Sequence, residues 1–406
     1  MAPTSSSQKK PLGNVLVIGG CGFLGHHIVD LILASYTASI SVLDLHTTRN
    51  RRPDSDGVTY YNGDITTLSS IIPIFEKAKP SVVIHTASPT LVGGSKEMYK
   101  KVNVDGTRCV IEACQKSGVK VLVYTSSASV ISDNASDLIN ADERWPVIPP
   151  SAQTEYYSQT KVRSSPLPLL LSPVLSYFPT PNRNTQANNS IQAEAEALVL
   201  AANRSPTSSR LLTCSIRPSG IFGPGDVQIL PPIIKVYQTS KTGFQLGQNE
   251  NLFDFTYVSN VAHAHLLAAR ALLYASSLST LPLDHERVDG EAFFITNDSP
   301  VYFWDFARAI WKAAGSDKGT EHVWEISKDV GLVIGGLLEW VMWIVGRPAK
   351  LTRRQVKYSC MTRYYDMGKA KKRLGYAPIV GLGEGIEQGV RWFEEERRRE
   401  GEKKGQ

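Results

Sequence analysis

The sequence has no CxxC pair, no cysteine–histidine spacing of the metal-ligand type, no hydrophobic leader and no apolar run long enough to span a bilayer. Each absence excludes something. The five cysteines (Cys21, Cys109, Cys114, Cys214, Cys360) are odd in number and scattered, which suits a reducing compartment and gives no disulfide framework or metal site. Met1 to Lys10 is polar, so no secretory signal is evident. The formal charge of +6 is modest and gathers near the ends, at Lys9, Lys10, Lys371 to Arg373 and Arg397 to Lys404. No basic stripe alternates with aromatics, so nucleic acid is not an expected partner. What is present, 42% apolar and 20% charged residues in 406, is the composition of a folded chain with one large core or two domains.

One apolar run stands out, Val330 to Val345, and it contains Glu339. It falls short of the ~20 residues a spanning helix needs. Two readings stand: a buried helix, or a patch resting on a membrane with Trp340 and Trp343 at the interface.

The order of elements points to an α/β protein. Val15–Ile18 is a short apolar strand, followed by glycines and a helical stretch from Phe23 to Leu33. Further strands are expected at Ile40–Leu43, Val58–Tyr61, Val82–Thr86, Val121–Thr125 and Leu211–Ile216, with a helix over Lys96–Lys116. Such alternation implies a Rossmann-type doubly wound parallel sheet covered on both faces. Ligands bind such sheets at the carboxyl ends of the strands.

The first loop has glycines at Gly19, Gly22 and Gly25, in GxxGxxG spacing, with Phe23 and Leu24 opening the helix. Glycines let the backbone turn tightly and approach a pyrophosphate, while the helix N-terminus offers free N–H groups. Asp44 ends the second strand, where a carboxylate accepts hydrogen bonds from an adenine ribose. An acid there repels a 2′-phosphate and favours NAD; Arg49, Arg51 and Arg52 keep NADP open.

Tyr157 and Lys161 are four residues apart, which puts both on one helical face. A phenol with a pKa near 10 becomes a useful base only when cations lower that value, which Lys161 can do. Ser127, just past the fifth strand, is the candidate to hold a substrate oxygen, with Ser126 in reserve. The same spacing recurs at Tyr237/Lys241 and Tyr365/Lys369. Only the first pair follows a strand ending in Thr-Ser-Ser, downstream of the glycine loop.

Together these residues resemble an extended short-chain dehydrogenase/reductase of the 3β-hydroxysteroid dehydrogenase family, in its sterol branch. Val123–Ser129, Tyr156–Lys161, Ile216–Asp226, Phe255–His265 and Phe294–Asp298 carry the likeness, which covers most of the chain apart from 162–192. The resemblance implies cofactor roles for Asp64 and Ile65 (adenine), Ala87 and Ser88 (ribose region) and Pro218 (nicotinamide side). From its own chemistry Asp64 is equally a turn residue, and Asn103 and Thr107 read as helix packing.

The activity implied is oxidation of a sterol 3β-hydroxyl to a ketone, with loss of a 4α-carboxylate as carbon dioxide. A sterol or triterpenoid substrate, peripheral contact with the cytosolic face of the endoplasmic reticulum membrane, and a homodimer or sterol-demethylation complex follow from the same likeness; otherwise the chain is cytoplasmic. The expected organisation is a dinucleotide-binding domain over 12–223 and a smaller, mainly substrate-binding region over 224–393 with segments returning to the core. Residues 1–11 and 394–406 are polar tails. The alternatives are a tailoring dehydrogenase of 3β-hydroxysteroids or triterpenoids, a nucleotide-sugar epimerase, or a cofactor-binding sensor without turnover.

Residues 162–192 do not belong to this pattern. They hold five prolines (Pro166, Pro168, Pro173, Pro179, Pro181) and no acid, and the first two prolines stop a helix about one turn after Lys161. The following run, Ala193 to Ala202, is strongly helix-forming. Joining Lys161 to Ala193 restores one continuous helix. Val162-Arg163 can be encoded with a splice-donor start and Ile191-Gln192 with an acceptor, and 31 residues are 93 nucleotides, in frame. The segment reads as a retained intron or, alternatively, as a lipid-facing loop.

Overall fold

The computed structural model describes residues 9–89, 95–134, 136–148, 184–206, 210–347, 349 and 351–404. Tyr157 and Lys161 lie outside the described residues.

The N-terminal half builds β1 (Lys10–Ile18), α1 (Phe23–Ser35), β2 (Tyr36–Asp44), β3 (Thr59–Asn62), α2 (Leu68–Ala78), β4 (Val82–His85) and α3 (Lys96–Lys100). A π-helical turn, Lys101–Gly106, leads into α4 (Thr107–Lys116) and β5 (Val121–Thr125). The expected helix over Lys96–Lys116 is therefore continuous but carries a π turn, an insertion of the kind that gathers at functional sites. A 3-10 turn (Ala128–Ile131), β6 (Leu138–Ala141), α5 (Asn184–Ala201) and β7 (Leu212–Pro218) follow. The sixth expected strand is thus shifted by one residue at its start and runs two further, to Pro218.

Six of these strands join β12 (Glu291–Ile295) in one seven-stranded sheet, ordered β12-β7-β5-β4-β1-β2-β3, with every pairing parallel. The order reverses between β1 and β4, and this is where doubly wound sheets open a crevice for ligand. Val15–Ile18 is buried on both faces, as a central parallel strand requires. In α1, Leu24, Ile28, Val29 and Ile32 are buried at helical spacing, and the helix packs against the long helix Val258–Ser277. The opposite face of the sheet is covered by α2, α4 and α5 through Phe75, Val110, Cys114, Ala195 and Val199.

The rest of the chain builds smaller units: β8 (Gly220–Phe222), α6 (Leu230–Gln238), β9 (Phe244–Leu246), β10 (Leu252–Phe253), β11 (Phe255–Tyr257), α7 (Val258–Ser277), β13 (Val301–Tyr302) and α8 (Phe303–Ala313). After them come β14 (Trp324–Ile326), α9 (Lys328–Ile344), α10 (Arg353–Cys360), β15 (Arg363–Tyr365), α11 (Gly368–Leu374) and α12 (Leu382–Lys404). An aromatic core joins them, with Phe255 stacked on Phe306 at 3.6 Å between ring centroids.

The apolar run at 330–345 is helical but not buried, which overturns the first of its two readings. Only Gly331, Gly335 and Gly336 of α9 are buried. A Cβ on Gly335 would stand 2.9 Å from the Arg353 amide nitrogen, so this glycine seam lets α10 approach closely. The lone acid of the run is turned inward too: Glu339 accepts from Arg353 Nε at 2.8 Å and from the Arg353 N–H at 3.1 Å. Val333, Leu337, Trp340, Val341, Trp343 and Ile344 are left facing out. No described helix is long and apolar enough to cross a membrane.

Candidate active site

The glycine loop leaves β1 at Gly19, whose φ of +81° favours glycine. A Cβ here would stand 2.7 Å from the Ala87 amide nitrogen, so the loop after β4 presses directly on the loop after β1. Gly25 is more constrained still, because a Cβ would meet the Gly19 carbonyl at 2.1 Å. The Gly22 N–H donates to the Gly19 carbonyl at 3.0 Å, and Gly22 caps α1 without any side-chain cap. The first-turn N–H groups of Phe23 and Leu24 thus belong to a helix end of the type that receives anions.

Asp44 is fixed at the end of β2. Its carboxylate accepts the Cys21 N–H at 3.0 Å and the His46 N–H at 3.4 Å, while its carbonyl accepts the Gly63 N–H at 3.0 Å. Burial and this neighbouring carboxylate push the Cys21 thiol up to about 11, so it stays protonated and unreactive. Arg51 and Arg52 are turned to other acids: Arg51 pairs with Asp54 at 2.8 Å, and Arg52 pairs with Asp56 at 2.8 Å and Asp30 at 3.3 Å. A loop too tight for side chains, a helix N-terminus without a cap and an acid at the second strand end fit an adenine dinucleotide.

Asp64 follows β3 and accepts the Thr66 N–H at 2.9 Å, the turn role its chemistry suggested. Ile65 is buried against Gly106 of the π turn, where a Cβ would stand 2.9 Å from it. Ala87 lies against the glycine loop, whereas Ser88 is exposed.

Ser127 and Pro218 follow or end adjacent strands, β5 and β7. Thr125 is paired with Ile216, and the Ser126 N–H donates to the Ile216 carbonyl at 2.8 Å. Ser127 is half-buried and caps the 3-10 turn, accepting the Ser129 N–H at 3.1 Å. Ser126 is buried and its hydroxyl has no partner among the described residues. Pro218 is the buried last residue of β7, opposite Ile295. Ser127 is therefore the accessible member of the serine pair.

The two rival tyrosine–lysine pairs are occupied or misplaced. Tyr365 is on a strand and accepts from Arg363 Nε at 2.7 Å, while Lys369 is on α11 and pairs with Glu291 at 2.6 Å. Lys241 lies beyond the end of the helix that holds Tyr237.

Four buried groups near this edge were not singled out from sequence as site residues. Glu196 on α5 is paired with Arg217 on β7. His265 on α7 is hydrogen-bonded through Nε2 to Thr125 Oγ1 at 2.7 Å, and burial lowers its pKa to about 4. His85, at the end of β4, contacts Thr107 Oγ1 at 3.1 Å, and burial lowers it to about 4 as well. Asn103, read as packing, sits in the π turn with both side-chain amide atoms buried and unpartnered among the described residues. Arg217 lay inside the sequence block that begins Ile216-Arg-Pro, but neither its partner nor its burial could be read there.

The sheet order, the glycine loop at its switch point and the serine beyond β5 define a dinucleotide-binding protein with a short-chain dehydrogenase/reductase-type fold. The profile of the 3-beta hydroxysteroid dehydrogenase/isomerase family matches residues 16–168 and 177–326, and the chain belongs to that family. The break in the match falls inside 162–192. A sterol-4-alpha-carboxylate 3-dehydrogenase, decarboxylating, of Saccharomyces cerevisiae is 39% identical over 391 residues, covering 95% of this chain and 99% of the relative. The human protein of that name is 32% identical over 383 residues, covering 94% of this chain and 88% of the relative. Among solved structures, the Bordetella bronchiseptica enzyme WbmH in complex with NAD+ matches with a TM-score of 0.63 at 15% identity, covering 96% of this chain and 99% of that one. The Thermotoga maritima UDP-glucose 4-epimerase matches with a TM-score of 0.62 at 19% identity over 94% of this chain and 99% of that one. At these identities the structures establish the fold alone.

Proposed function

We propose that this chain oxidises the 3β-hydroxyl of a 4α-carboxysterol to the ketone with NAD and releases the carboxylate as carbon dioxide. The observation that carries the reading is the 39% identity to the yeast sterol-4-alpha-carboxylate 3-dehydrogenase over nearly the whole of both chains. NAD is preferred over NADP because an acid, Asp44, ends the second strand while Arg51 and Arg52 are paired with other acids.

In this reading the loop from Gly19 to Gly25 and the N-terminus of α1 hold the pyrophosphate, and Asp64, Ile65, Ala87, Ser88 and Pro218 line the rest of the cofactor site. Bound NAD supplies the hydride acceptor. Ser127 holds the substrate oxygen, Tyr157 takes its proton, and Lys161 favours the phenolate that does so. The ketone formed is β to the carboxylate, so the bond to carbon dioxide breaks with its electron pair entering the enolate. A proton then returns to C4. No separate decarboxylation residue is required.

The outward face of α9 suits peripheral contact with a membrane, and the endoplasmic reticulum is the proposed location because the substrate is a sterol. A homodimer through the helical stretch 96–116 and the helix after Tyr157 belongs to the same reading, to be checked by light scattering. Residues 162–192 are proposed to be a retained intron; mature message containing those 93 nucleotides would refute this.

The activity test follows NADH and carbon dioxide together, using a 4α-carboxysterol and the chain lacking 162–192. Both products are expected in equal amounts, and Tyr157→Phe abolishes them. Ketone without carbon dioxide would move the reading to a tailoring dehydrogenase. Equal activity from Tyr157→Phe would refute the assigned base.

A further inference from the structure

Two arginines turned into this fold each have an acid of their own: Arg217 pairs with Glu196, and Arg353 with Glu339 at 2.8 Å. Arg363 on β15 is 7% exposed and pairs with no acid among the described residues. Its Nε donates to the Tyr365 hydroxyl at 2.7 Å and its Nη2 to Ser129 Oγ at 2.9 Å, which leaves Nη1 without a described acceptor. Asp254 packs against the same strand but does not neutralise it. The Asp254 N–H donates to the Arg363 carbonyl at 2.8 Å, and its carboxylate accepts the Tyr365 N–H at 2.9 Å. Burial pushes this carboxyl up to about 7, whereas a guanidinium alongside would hold it down. A cation buried without a counter-charge is costly unless an anion arrives to meet it.

The place of this cation says which anion. Ser127 Oγ accepts the Ser129 N–H at 3.1 Å, so one residue and two hydrogen bonds separate Ser127 from the guanidinium. Ser127 and Ser129 are half-buried, while Ser126, Ala128 and Val130 between and beside them are buried. On the other side stands Tyr358 of α10, 37% exposed, packed on Phe253 and Phe303 and lying in the field of Arg363 and Arg354. The cofactor's pyrophosphate is expected at the glycine loop after β1, so the anion left for Arg363 belongs to the substrate. In a 4α-carboxysterol the hydroxyl and the carboxylate sit on neighbouring ring carbons. A hydroxyl held at Ser127 therefore brings the carboxylate toward Arg363, whose planar fork matches it. We propose that Arg363 is the specificity-determining residue that holds the substrate's 4α-carboxylate while the 3β-hydroxyl is oxidised. A cation on a carboxylate also stabilises it against loss as carbon dioxide, so the contribution of Arg363 is to recognition and not to the second step.

The proposal rests on the sterol dehydrogenase reading, and its test separates the two. Two 3β-hydroxysterols are compared, one with a 4α-carboxylate and one with a 4α-methyl group. Turnover is followed as NADH in the chain lacking 162–192, and sterol binding by calorimetry in the full chain with NADH present. Arg363→Met should lower kcat/KM for the carboxysterol at least about 30-fold, mostly through KM. The methylsterol offers the guanidinium nothing to hold, and its kcat/KM should change less than about threefold. Affinity in the full chain should fall about 30-fold for the carboxysterol alone. Arg363→Lys, which keeps the charge without the fork, should recover part of the loss, and NAD affinity should not move in either variant. Equal losses for both sterols would reduce Arg363 to a structural group and overturn the proposal with the sterol reading intact. A parent chain that neither binds nor oxidises either sterol would sink both. If the variants do not fold, the parent chain decides: with NADH and the carboxysterol bound, a crystal structure should show the carboxylate within hydrogen-bond distance of Arg363. A carboxylate held by any other side chain overturns the assignment.

Discussion

The two flanks of the crevice place their chemistry in opposite ways. On the cofactor side, β1, the glycine loop, α1 and β2 follow one another without interruption from Lys10 to Asp44, and the critical contacts are backbone against backbone. On the β7 side, α5 is held by a carboxylate that finds its partners 19 and 21 residues away on that strand. The first arrangement is local and tolerates no added atom. The second is long-range and tolerates no shift of register.

The comparison is broken most forcefully at its long-range pole. Glu196→Ala leaves Arg217 buried without its counter-charge and is expected to cost about 3–5 kcal/mol in urea unfolding. At the local pole, Gly25→Val drives a side chain into the Gly19 carbonyl. Loss of measurable NAD binding and a stability cost of about 1–3 kcal/mol are expected. Full stability with retained NAD affinity would show that the loop is not close-packed.

Acid should weaken both flanks together. His27 on α1 contacts the Pro224 carbonyl at 2.8 Å, and burial lowers its pKa to about 4, as it does for His85 and His265. These groups are neutral in the fold and take up protons more readily when unfolded. Their contribution is complete above the ordinary pKa of 6.5 and is lost as pH falls from there toward 4. Asp254 runs the other way: burial raises its pKa to about 7, so its contribution is lost as pH rises through 7. Urea midpoints from pH 4 to 8 should give a maximum, and His265→Gln should flatten its acid side.

A smaller effect tests recognition alone. Asp44→Asn should weaken NAD binding by about tenfold and narrow the preference over NADP, with the amide still near the Cys21 N–H. Smallest for folding are Leu337→Ser and Trp340→Ser on the outer face of α9, expected to change stability by less than about 0.5 kcal/mol. The same pair should abolish co-sedimentation with phospholipid vesicles; unchanged binding would remove α9 from the membrane-contact account.

The cofactor flank was legible in the sequence because its determinants are adjacent and of rare type: three spaced glycines, a strand before them and an acid at the next strand end. The place of Ser127 in the fold was legible for the same reason, as the residue just past a short apolar strand. The π turn at 101–106 left no such sign. Glu196 looked like one acid of an alanine-rich helix because its partners lie on a strand the sequence does not pair with it. The run at 330–345 was ambiguous because hydrophobicity does not say which face is covered; its glycines and Glu339 turn inward, and its large apolar side chains do not.

The most direct test of the account is turnover of a 4α-carboxysterol by the chain lacking 162–192 and by its Tyr157→Phe variant, with NADH and carbon dioxide measured together at saturating NAD. The expected result is both products formed in equal amounts, and about 10³-fold less of each from Tyr157→Phe. Equal rates from Tyr157→Phe, or ketone without carbon dioxide, would contradict it.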